Sequence, residues 1–350
     1  MQIIFVTASM TGGGSERVIA GLAEQFLGMG HAVSIIMTSG SEVAYKMSDA
    51  IEIVNIGGRT GGSIQKRVKR VVDLRKYFKS RREAIIISFG TETNLFSILA
   101  NLGRKQKLII SERNDPNKCS YKLLRNVVYS FGKKFVFQTE DAMHCFSKSI
   151  QKRSMVIPNP ILNNIPKAYE GKREKKIVAV GRLTNQKNHK FLLRAFAQFS
   201  RCEKDYQLIL YGQGELQAEL EELARKLDID EKVVFAGFKS DILECIKKSA
   251  MYVLSSDYEG ISNSLLEAMA LGIPVISTDC PIGGSRTCIQ NNVNGILVEC
   301  GNIQEMVAAM KKIASEPEFA ERMGRQAIKV QERFAIEKIA KSWVKFGAGI

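Results

Sequence analysis

This sequence lacks long apolar runs and a basic, apolar leader. Its 350 residues are 45% hydrophobic, but no run approaches the ~18 apolar residues that a membrane-spanning helix needs. The opening MQIIFVTASM has no basic region, and its apolar run is too short for a signal peptide. We therefore expect a cytoplasmic protein with a large core.

Paired cysteines are also missing. The seven cysteines are odd in number, and no two have CxxC spacing. This pattern argues against a zinc site or a disulfide framework and favours buried thiols in a reducing cytoplasm.

Negative charge is scarce in the first half. Residues 1–165 carry 24 Lys and Arg against 12 Asp and Glu, a net charge of +12, whereas residues 166–350 carry 27 against 24, a net charge of +3. A strongly basic half beside a nearly neutral one suggests two partners, one of them strongly anionic.

Short apolar runs alternate with longer amphipathic segments along the chain, which is typical of parallel sheets covered by helices. The rhythm restarts after the proline-containing segment 157–176, so we predict an α/β protein with two Rossmann-like, doubly wound domains facing a cleft. Their expected extents are 1–163 and 164–335, with the amphipathic segment 336–350 returning to the first domain. The expected strands are 3–6, 33–37, 84–89, 107–111 and 134–138, then 176–181, 207–212, 232–237, 251–256 and 274–278.

Ligands of such sheets bind beyond the carboxyl ends of the strands. The loop TGGGSER follows the first expected strand, and its Gly12, Gly13 and Gly14 would let backbone N–H groups approach an anion. The GxGxxG pattern of nicotinamide-binding folds fails because position 17 is Arg, and the second strand ends without an acidic residue. A tight turn without a ligand is the alternative interpretation.

Two cations follow the first strand of the second domain, in AVGRLTNQKN. Arg182 would grip two oxygens and Lys187 would add a point charge, a combination that suits a diphosphate. A solvated loop with ordinary surface charge is the alternative.

Two glutamates separated by seven residues lie in DYEGISNSLLEAMALG, around a helix that we expect to begin at Ser262 or the next residue and to end before Gly272. The helix N-terminus favours phosphate. Glu267, one turn into the helix, would accept hydrogen bonds from ribose hydroxyls, and Glu259 would meet the group that the diphosphate carries. Alternatively, both glutamates are solvated.

Taken in order, GGGSER, VIPNP, AVGRLTNQKN, YGQGEL, VVFAGF, EGISNSLLE and NGILV resemble glycosyltransferase family 4, the retaining enzymes with the GT-B fold, over almost the whole chain. The resemblance is to bacterial cell-surface polysaccharide enzymes. It implies transfer of a hexose or N-acetylhexosamine from a nucleotide-diphosphate sugar, with UDP favoured, to a hydroxyl of a lipid-linked saccharide. No cofactor is expected, and no metal is required if Arg182 and Lys187 neutralise the diphosphate.

The resemblance also implies roles for individual residues. Arg182, Lys187 and Glu259 would be catalytic, the last by contacting the donor sugar, while Glu267 would bind the ribose. Further donor contacts would come from the Gly12–Gly14 loop, the backbone amides of Ile261, Ser262 and Asn263, and the base-bordering Gly237 and Phe238.

The sequence departs from this family at one position. Many members carry a histidine near the sugar in the first domain, where this chain reads ISERNDP. Glu112 and Arg113 become site candidates there. Asp228 and Asp230 spell the DxD metal signature of a different glycosyltransferase fold, but we interpret them as turn residues.

The segment 64–82 predicts a basic amphipathic helix, with an apolar stripe of Ile64, Val68, Val71, Leu74 and Phe78. Three interpretations compete: a solvated helix, a face for anionic lipid or a lipid-linked pyrophosphate, and a nucleic-acid surface. We favour the lipid, and hence peripheral association with the cytoplasmic face of the membrane, because no nucleic-acid module accompanies the helix. The acceptor or membrane candidates are Lys66, Arg67, Lys69, Arg70, Arg75, Lys76 and Lys79.

Three other functions remain alternatives. A Rossmann oxidoreductase would need the missing fingerprint. A non-catalytic partner protein would not need the retained charged residues. An epimerase of the same architecture would isomerise its sugar without an acceptor.

Overall fold

The computed structural model describes residues 1–56 and 63–349. The chain forms two compact units, one comprising Met1–Pro160 with Ile336–Ile350 and the other Ile161–Ala335. Each unit contains one parallel sheet flanked by helices, which confirms the predicted α/β class. None of the helices in the described ranges combines the length and apolarity needed to cross a bilayer.

The first unit has a seven-stranded sheet in the order β3-β2-β1-β4-β5-β6-β7. Its strands are β1 (Gln2–Thr7), β2 (Ala32–Met37), β3 (Glu52–Asn55), β4 (Ile85–Phe89), β5 (Lys107–Ser111), β6 (Lys134–Phe137) and β7 (Ser154–Val156). Its helices are α1 (Gly14–Gly28), α2 (Ser63–Lys79), α3 (Thr91–Asn101), α4 (Lys122–Ser130), α5 (Glu140–His144) and α6 (Lys148–Gln151).

The second unit has a six-stranded sheet in the order β10-β9-β8-β11-β12-β13. Its strands are β8 (Glu174–Val180), β9 (Gln207–Tyr211), β10 (Val233–Gly237), β11 (Ser249–Leu254), β12 (Val275–Thr278) and β13 (Ile296–Val298). Its helices are α7 (His189–Phe199), α8 (Gln217–Lys226), α9 (Ile242–Ile246), α10 (Asn263–Ala270), α11 (Gly284–Cys288), α12 (Ile303–Ser315), α13 (Pro317–Ala327) and α14 (Val330–Arg333).

Alternation along β8 divides the core of the second unit into two layers. Ile177 and Ala179 point into one apolar cluster, and Val178 points into the other. Because successive strand side chains face opposite sides, a run such as KIVAV can be buried on both faces only when helices cover both. Both faces of this sheet are therefore buried, which leaves the loops at its strand ends to carry the exposed functional groups.

Helix α15 (Ile336–Ala348) belongs to the first unit, where it packs against α1 and β5. Trp343 is fully buried and stacks on Phe89 with ring centroids 5.8 Å apart. Gly347 lies so close to β4 that an added Cβ would meet Ile85 at 2.8 Å. The terminal helix thus returns to the first unit as the sequence predicts.

Candidate active site

The centre of the second sheet is where the strand order reverses. Strands β8 and β11 are parallel neighbours there, and the chain moves outward from them in opposite directions. At such a reversal the loops after the two strands run in opposite directions and leave a crevice at the carboxyl edge of the sheet. This crevice is the usual ligand position of doubly wound sheets. The loop after β8 carries Arg182 and Lys187, and the loop after β11 carries Glu259.

The loop after β8 is held by close backbone packing. A Cβ on Gly212 would lie 1.9 Å from the Gly181 carbonyl oxygen, and one on Gly214 would lie 2.3 Å from the Leu183 carbonyl oxygen. Gly181 itself lies beneath the Lys187 side chain, whose Cε would be 3.0 Å from an added Cβ. The glycines of AVGR and YGQG therefore set the path of the loop that presents Lys187.

Lys187 and Glu259 form an ion pair between the two loops. The Lys187 Nζ donates to Glu259 Oε2, and both side chains are mostly buried, with 15% and 16% of their surface exposed. The Ser256 hydroxyl donates to the same carboxylate oxygen at 3.3 Å. A shielded pair of this kind is screened less by salt than a surface pair.

Further hydrogen bonds hold the two loops in register. Gln186 Nε2 donates to the Tyr258 carbonyl oxygen at 3.0 Å, and Asn188 Nδ2 donates to Asp257 Oδ1 at 2.6 Å. The Ser255 hydroxyl donates to the Lys187 carbonyl oxygen at 2.8 Å. Sequence reasoning did not identify these supporting residues, although their place directly after two strands was a signal for them.

Helix α10 begins where it was expected, with Ser262 as its N-cap. The Ser262 hydroxyl does not cap the helix; it lies 3.1 Å from the Ser264 hydroxyl, which donates to the Val180 carbonyl oxygen of β8. The first turn is thereby fixed to the end of β8. The positive end of the helix dipole and its backbone amides make this turn suited to a phosphate.

The residues flanking this turn are largely buried. Ile261 and Ser262 are buried, Asn263 is half-buried, and Glu267 is buried about one turn into α10. The charges of Glu259 and Glu267 both raise the pKa of Tyr252, so this β11 side chain lies near both carboxylates. Both glutamates therefore lie mostly inside the second unit, which contradicts the alternative that they are solvated.

Three other predicted residues lie at the surface or at a strand end. Arg182 is exposed on the loop after β8. Gly237 ends β10 with φ +66° and accepts a hydrogen bond from the Gly212 amide at 2.8 Å. Phe238 follows with 72% of its surface exposed, an aromatic ring available for stacking. All three stand at the same edge of the sheet as Lys187.

His189 opens α7 next to the ion pair, and sequence reasoning gave it no role. Its ring is buried, and this burial, helped by the charge of Lys187, lowers the pKa of His189 to about 4. The imidazole is consequently neutral near pH 7, so the positive charge of this loop resides on Arg182 and Lys187.

The glycine-rich loop of the first unit is closed around a carboxylate. Gly12 and Gly13 donate their backbone N–H groups to Glu16 Oε2 at 2.6 and 2.8 Å, and the Ser9 hydroxyl donates to Oε1 at 2.6 Å. An anionic group thus occupies the donors that the sequence analysis assigned to a phosphate. A phosphate at Gly12–Gly14 would have to displace Glu16.

Glu112 lies at the carboxyl end of β5, fully buried. It accepts hydrogen bonds from the Tyr129 hydroxyl of α4, the Thr91 hydroxyl at 3.1 Å and Asn94 Nδ2. Burial raises the pKa of Glu112 above its ordinary value. These partners make Glu112 the hub that joins α3, α4 and β5.

Arg113 is buried beside it, and its hydrogen-bond partners in the described chain are neutral oxygens. It donates to Asn159 Oδ1, to the Ser111 hydroxyl at 3.4 Å and to the Ile157 carbonyl oxygen at 3.5 Å, and it lies over the Phe89 ring. Burial alone lowers the pKa of Arg113 to about 9, so the guanidinium stays charged at neutral pH. A buried cation with neutral partners retains its attraction for an anionic or hydroxyl-bearing ligand.

The basic helix α2 ends at Lys79, so Arg81 and Arg82 of the predicted segment lie beyond it. Only the second half of the expected stripe is fully buried, at Leu74 and Phe78; Ile64 and Val68 are exposed at 76% and 57%. The apolar stripe is therefore buried against the unit only in its C-terminal half.

Several cations of α2 already have protein partners. Arg75 donates to the Ala100 and Leu102 carbonyl oxygens, capping α3, and Lys69 pairs with Asp73 at 2.8 Å. Arg67 and Arg70 lie 3.7 and 3.9 Å from Glu92. Lys66 is half-buried, while Lys76 and Lys79 are exposed. Arg75 thus has a structural role.

Asp228 and Asp230 precede β10 and so lie at the amino end of that strand, opposite the edge that carries Lys187. Asp228 has φ +57°, the left-handed conformation of a tight turn. In the described part of the chain, no group of three or more His, Cys, Asp or Glu side chains is arranged to hold a metal ion. All seven cysteines, which lie within that part, are free thiols, but only Cys280 and Cys288 are buried, and the expectation of buried thiols is wrong for the exposed Cys145 and Cys202.

Comparison with known proteins places these features in a family context. The model of the family described as "Glycosyl transferases group 1" matches residues 162–330. Two proteins of Campylobacter jejuni are similar along their whole length. The first, "GalNAc-alpha-(1->4)-GalNAc-alpha-(1->3)-diNAcBac-PP-undecaprenol alpha-1,4-N-acetyl-D-galactosaminyltransferase", is 27% identical, with 100% of this chain and 99% of the relative covered.

The second, "N-acetylgalactosamine-N,N'-diacetylbacillosaminyl-diphospho-undecaprenol 4-alpha-N-acetylgalactosaminyltransferase", is 28% identical, with 97% of this chain and 98% of the relative covered. Among solved structures, Anabaena HepE in complex with UDP superposes with a TM-score of 0.85 over 100% of both chains, at 18% identity. This structural likeness shows the shared two-domain GT-B fold.

Proposed function

We propose that this chain, a GT-B glycosyltransferase similar to bacterial cell-surface polysaccharide enzymes, transfers a hexose or N-acetylhexosamine. The transfer retains the anomeric configuration of the sugar. The donor is a nucleotide-diphosphate sugar, UDP-linked by preference, and the acceptor is a hydroxyl of a lipid-linked saccharide. The names of the two Campylobacter relatives describe acceptors on diphospho-undecaprenol, which supports this acceptor class.

The observation that carries the proposal is the Lys187–Glu259 pair beside the first turn of α10. The lysine ammonium has three donors, so it can keep Glu259 while binding a phosphate oxygen. Arg182 and the amides at Ile261–Asn263 would bind the remaining diphosphate oxygens. As the diphosphate leaves, its growing charge is stabilised by groups that are already in place.

The other donor contacts follow from the same arrangement. Glu267, buried in α10, would accept hydrogen bonds from the ribose, and the exposed Phe238 ring would lie against the base. Glu259 would use its second oxygen for a hydroxyl of the sugar. Tyr252 lies near both carboxylates.

The proposal includes independence of a divalent metal, because fixed cations and a helix N-terminus supply the positive charge at the diphosphate. Treatment with EDTA is therefore expected to leave the transfer rate within about twofold of the untreated enzyme. A rate that vanishes in EDTA and returns with Mg²⁺ or Mn²⁺ would contradict this part of the proposal.

A nucleotide-release screen tests the proposal. Purified protein is incubated with UDP- and GDP-linked hexoses and N-acetylhexosamines, with and without diphospho-undecaprenol-linked saccharides, and the anomeric configuration of the product is determined by NMR. Acceptor-dependent release of UDP with a retained configuration is expected. Sugar isomerisation without an acceptor would instead indicate an epimerase.

A further inference from the structure

Helix α4 presents an apolar face to solvent. Leu123, Leu124, Val127 and Phe131 are exposed at 84%, 56%, 62% and 59%. Leu123, Val127 and Phe131 are spaced four residues apart, so they form one row along the helix, with Leu124 beside it. We call these four residues the apolar α4 face. A contiguous exposed patch of this kind marks an interaction site more often than scattered single residues do.

The opposite side of α4 is fixed to the first unit. Val128 and Tyr129 are buried, and Tyr129 donates to Glu112 and stacks on Phe146. Arg125, also buried, donates to the Pro116 carbonyl oxygen at 2.6 Å. Because these contacts fix the rotation of the helix, α4 cannot turn its apolar face inward.

The chain around the apolar α4 face is basic. Residues 116–139 contain five Lys and Arg and no Asp or Glu. Lys118, Lys122 and Lys133 are exposed and lie before, within and after the helix. Apolar side chains bordered by lysines are typical of helices that lie in the interface of an anionic bilayer, since the ammonium groups attract the headgroups.

The first turns of α2 and α4 extend this surface. Both helices pack on α3, whose Glu92 lies within 4 Å of Arg67. The charges of Glu92 and Arg67 both influence the pKa of Tyr121, which directly precedes α4. Arg67 of α2 therefore lies on the side of the unit where α4 begins, and the exposed Ile64 and Val68 side chains belong to the same first turns of α2.

This surface borders the edge of the sheet that carries the site candidates Glu112 and Arg113. Helices α3 and α4 follow β4 and β5, so their first turns lie at the carboxyl edge together with Glu112 and Arg113. Tyr129 of α4 contacts Glu112 directly. A bilayer bound at α4 would hold its lipid-linked saccharides close to this edge.

We propose that the apolar α4 face inserts into an anionic bilayer at the boundary between headgroups and acyl chains, with the surrounding lysines and the first turns of α2 bound to headgroups. This inference rests on the proposed function for its purpose, delivery of a lipid-linked acceptor, but the insertion itself requires no catalysis. The charge of the patch selects an anionic bilayer over a second copy of this chain, because two such basic faces repel each other.

Fluorescence measures the insertion. The single tryptophan, Trp343, is fully buried and gives a constant background, so Leu123→Trp places a reporter on the apolar α4 face. Vesicles of phosphatidylcholine and phosphatidylglycerol at 3:1, with brominated acyl chains, are expected to quench the introduced indole. The same substitution at Val293, 40% exposed in the second unit, is expected to remain unquenched. An unquenched Leu123→Trp variant overturns the inference.

Co-sedimentation with the same vesicles measures affinity. The double substitution Leu124→Ser with Val127→Ser removes two exposed side chains and is expected to lower vesicle partitioning at least about tenfold. Val234→Ser with Val293→Ser, at 42% and 40% exposure in the second unit, is the matched control and is expected to bind as the unmodified protein does. Equal partitioning of both double variants overturns the inference.

Two further readouts separate this inference from its rivals. If light scattering shows a dimer that Leu124→Ser with Val127→Ser dissociates, the apolar α4 face binds a second copy and the inference fails. Transfer to a short-chain, water-soluble acceptor is expected to be unchanged in that variant. If the unmodified protein inserts into vesicles but transfers no sugar, the inference stands and the proposed function is refuted. If it transfers sugar but does not insert, the proposed function stands and the inference is refuted.

Discussion

Lys187 contacts Glu259 across 72 residues of sequence, at the point where the order of the second sheet reverses. The contact joins the loop after β8 to the loop after β11. It also places a cation and a carboxylate beside the first turn of α10. The unit thus holds opposite charges at fixed positions on two loops that are distant in sequence.

Replacement of Lys187 by alanine tests the cation. We expect Lys187→Ala to lower kcat at least about 100-fold, because a preorganised group that stabilises the departing charge contributes roughly 3–4 kcal/mol to the transition state. Steady-state release of UDP at saturating donor measures this. Lys190→Ala removes a more exposed lysine of α7 that pairs with Glu219; it is the control and is expected to keep nearly full activity. Equal activity of the two variants would remove Lys187 from the mechanism.

Replacement of Gly284 tests the position of the Glu259 loop. A Cβ at Gly284 would lie 1.8 Å from the Gly260 carbonyl oxygen and 3.1 Å from that of Glu259. Gly284→Ala must therefore displace this loop, and we expect a loss of about 1–3 kcal/mol in stability together with at least a tenfold lower kcat/KM for the donor. Gly28→Ala, with no atom within 4 Å of its added Cβ, is expected to change neither quantity appreciably. Unaltered kinetics in Gly284→Ala would show that the loop position does not matter.

Local sequence signals predicted most of the strands of the two sheets, but they did not predict the contact between Lys187 and Glu259. The strand KLIIS was expected at 107–111 and is observed at Lys107–Ser111, because a β-branched run flanked by polar residues forms a buried strand in almost any context. Placement after parallel strands also predicted that Lys187 and Glu259 would share an edge. Their direct contact depends on glycine-mediated backbone packing between distant loops, which periodicity does not encode.

The strands that were missed are short or at edges. The sequence analysis did not predict β3, β7 and β13. Strand β3 contains too few apolar residues for a recognisable alternation, and β7 and β13 have only three residues each. Helix α4 was also not predicted, because apolar residues occur on both of its sides, so hydrophobic periodicity cannot show which side is buried. The exposed turns of α2 show the same limitation.

Acid is expected to destabilise the second unit through His189. Its pKa is about 4 in the folded protein, against an ordinary 6.5, so folding releases a proton from this residue. Its contribution to stability is complete above pH 6.5 and is lost as the pH falls towards 4, at up to about 1.4 kcal/mol per pH unit. Urea unfolding at pH 7, 5.5 and 4.5 measures the slope.

His189→Gln is expected to flatten that slope, because glutamine does not titrate. The exposed His144 provides the comparison, and His144→Gln is expected to keep the slope of the unmodified protein. Identical slopes in the two variants would show that the acid sensitivity originates elsewhere in the chain.

Arg113 is expected to act on the acceptor side. Lysine cannot reproduce the planar fork that reaches Ser111, Ile157 and Asn159, so Arg113→Lys should lower transfer at least about tenfold. UDP affinity, measured by calorimetry, should stay unchanged, since the residues proposed to bind the diphosphate and the ribose of UDP, namely Arg182, Lys187 and Glu267, lie in the other unit. Arg173→Lys alters a half-buried arginine, which donates to three backbone carbonyl oxygens, and should affect stability alone. Weaker UDP binding in Arg113→Lys would contradict the acceptor role.

A crystal structure with a bound UDP-sugar tests the central claim most directly. We expect the diphosphate oxygens within hydrogen-bonding distance of Lys187 Nζ and of the backbone amides at Ile261–Asn263, with the ribose on Glu267 and the sugar on Glu259. A nucleotide bound at another edge of the sheet, with Lys187 contacting Glu259 and no phosphate, would contradict the account.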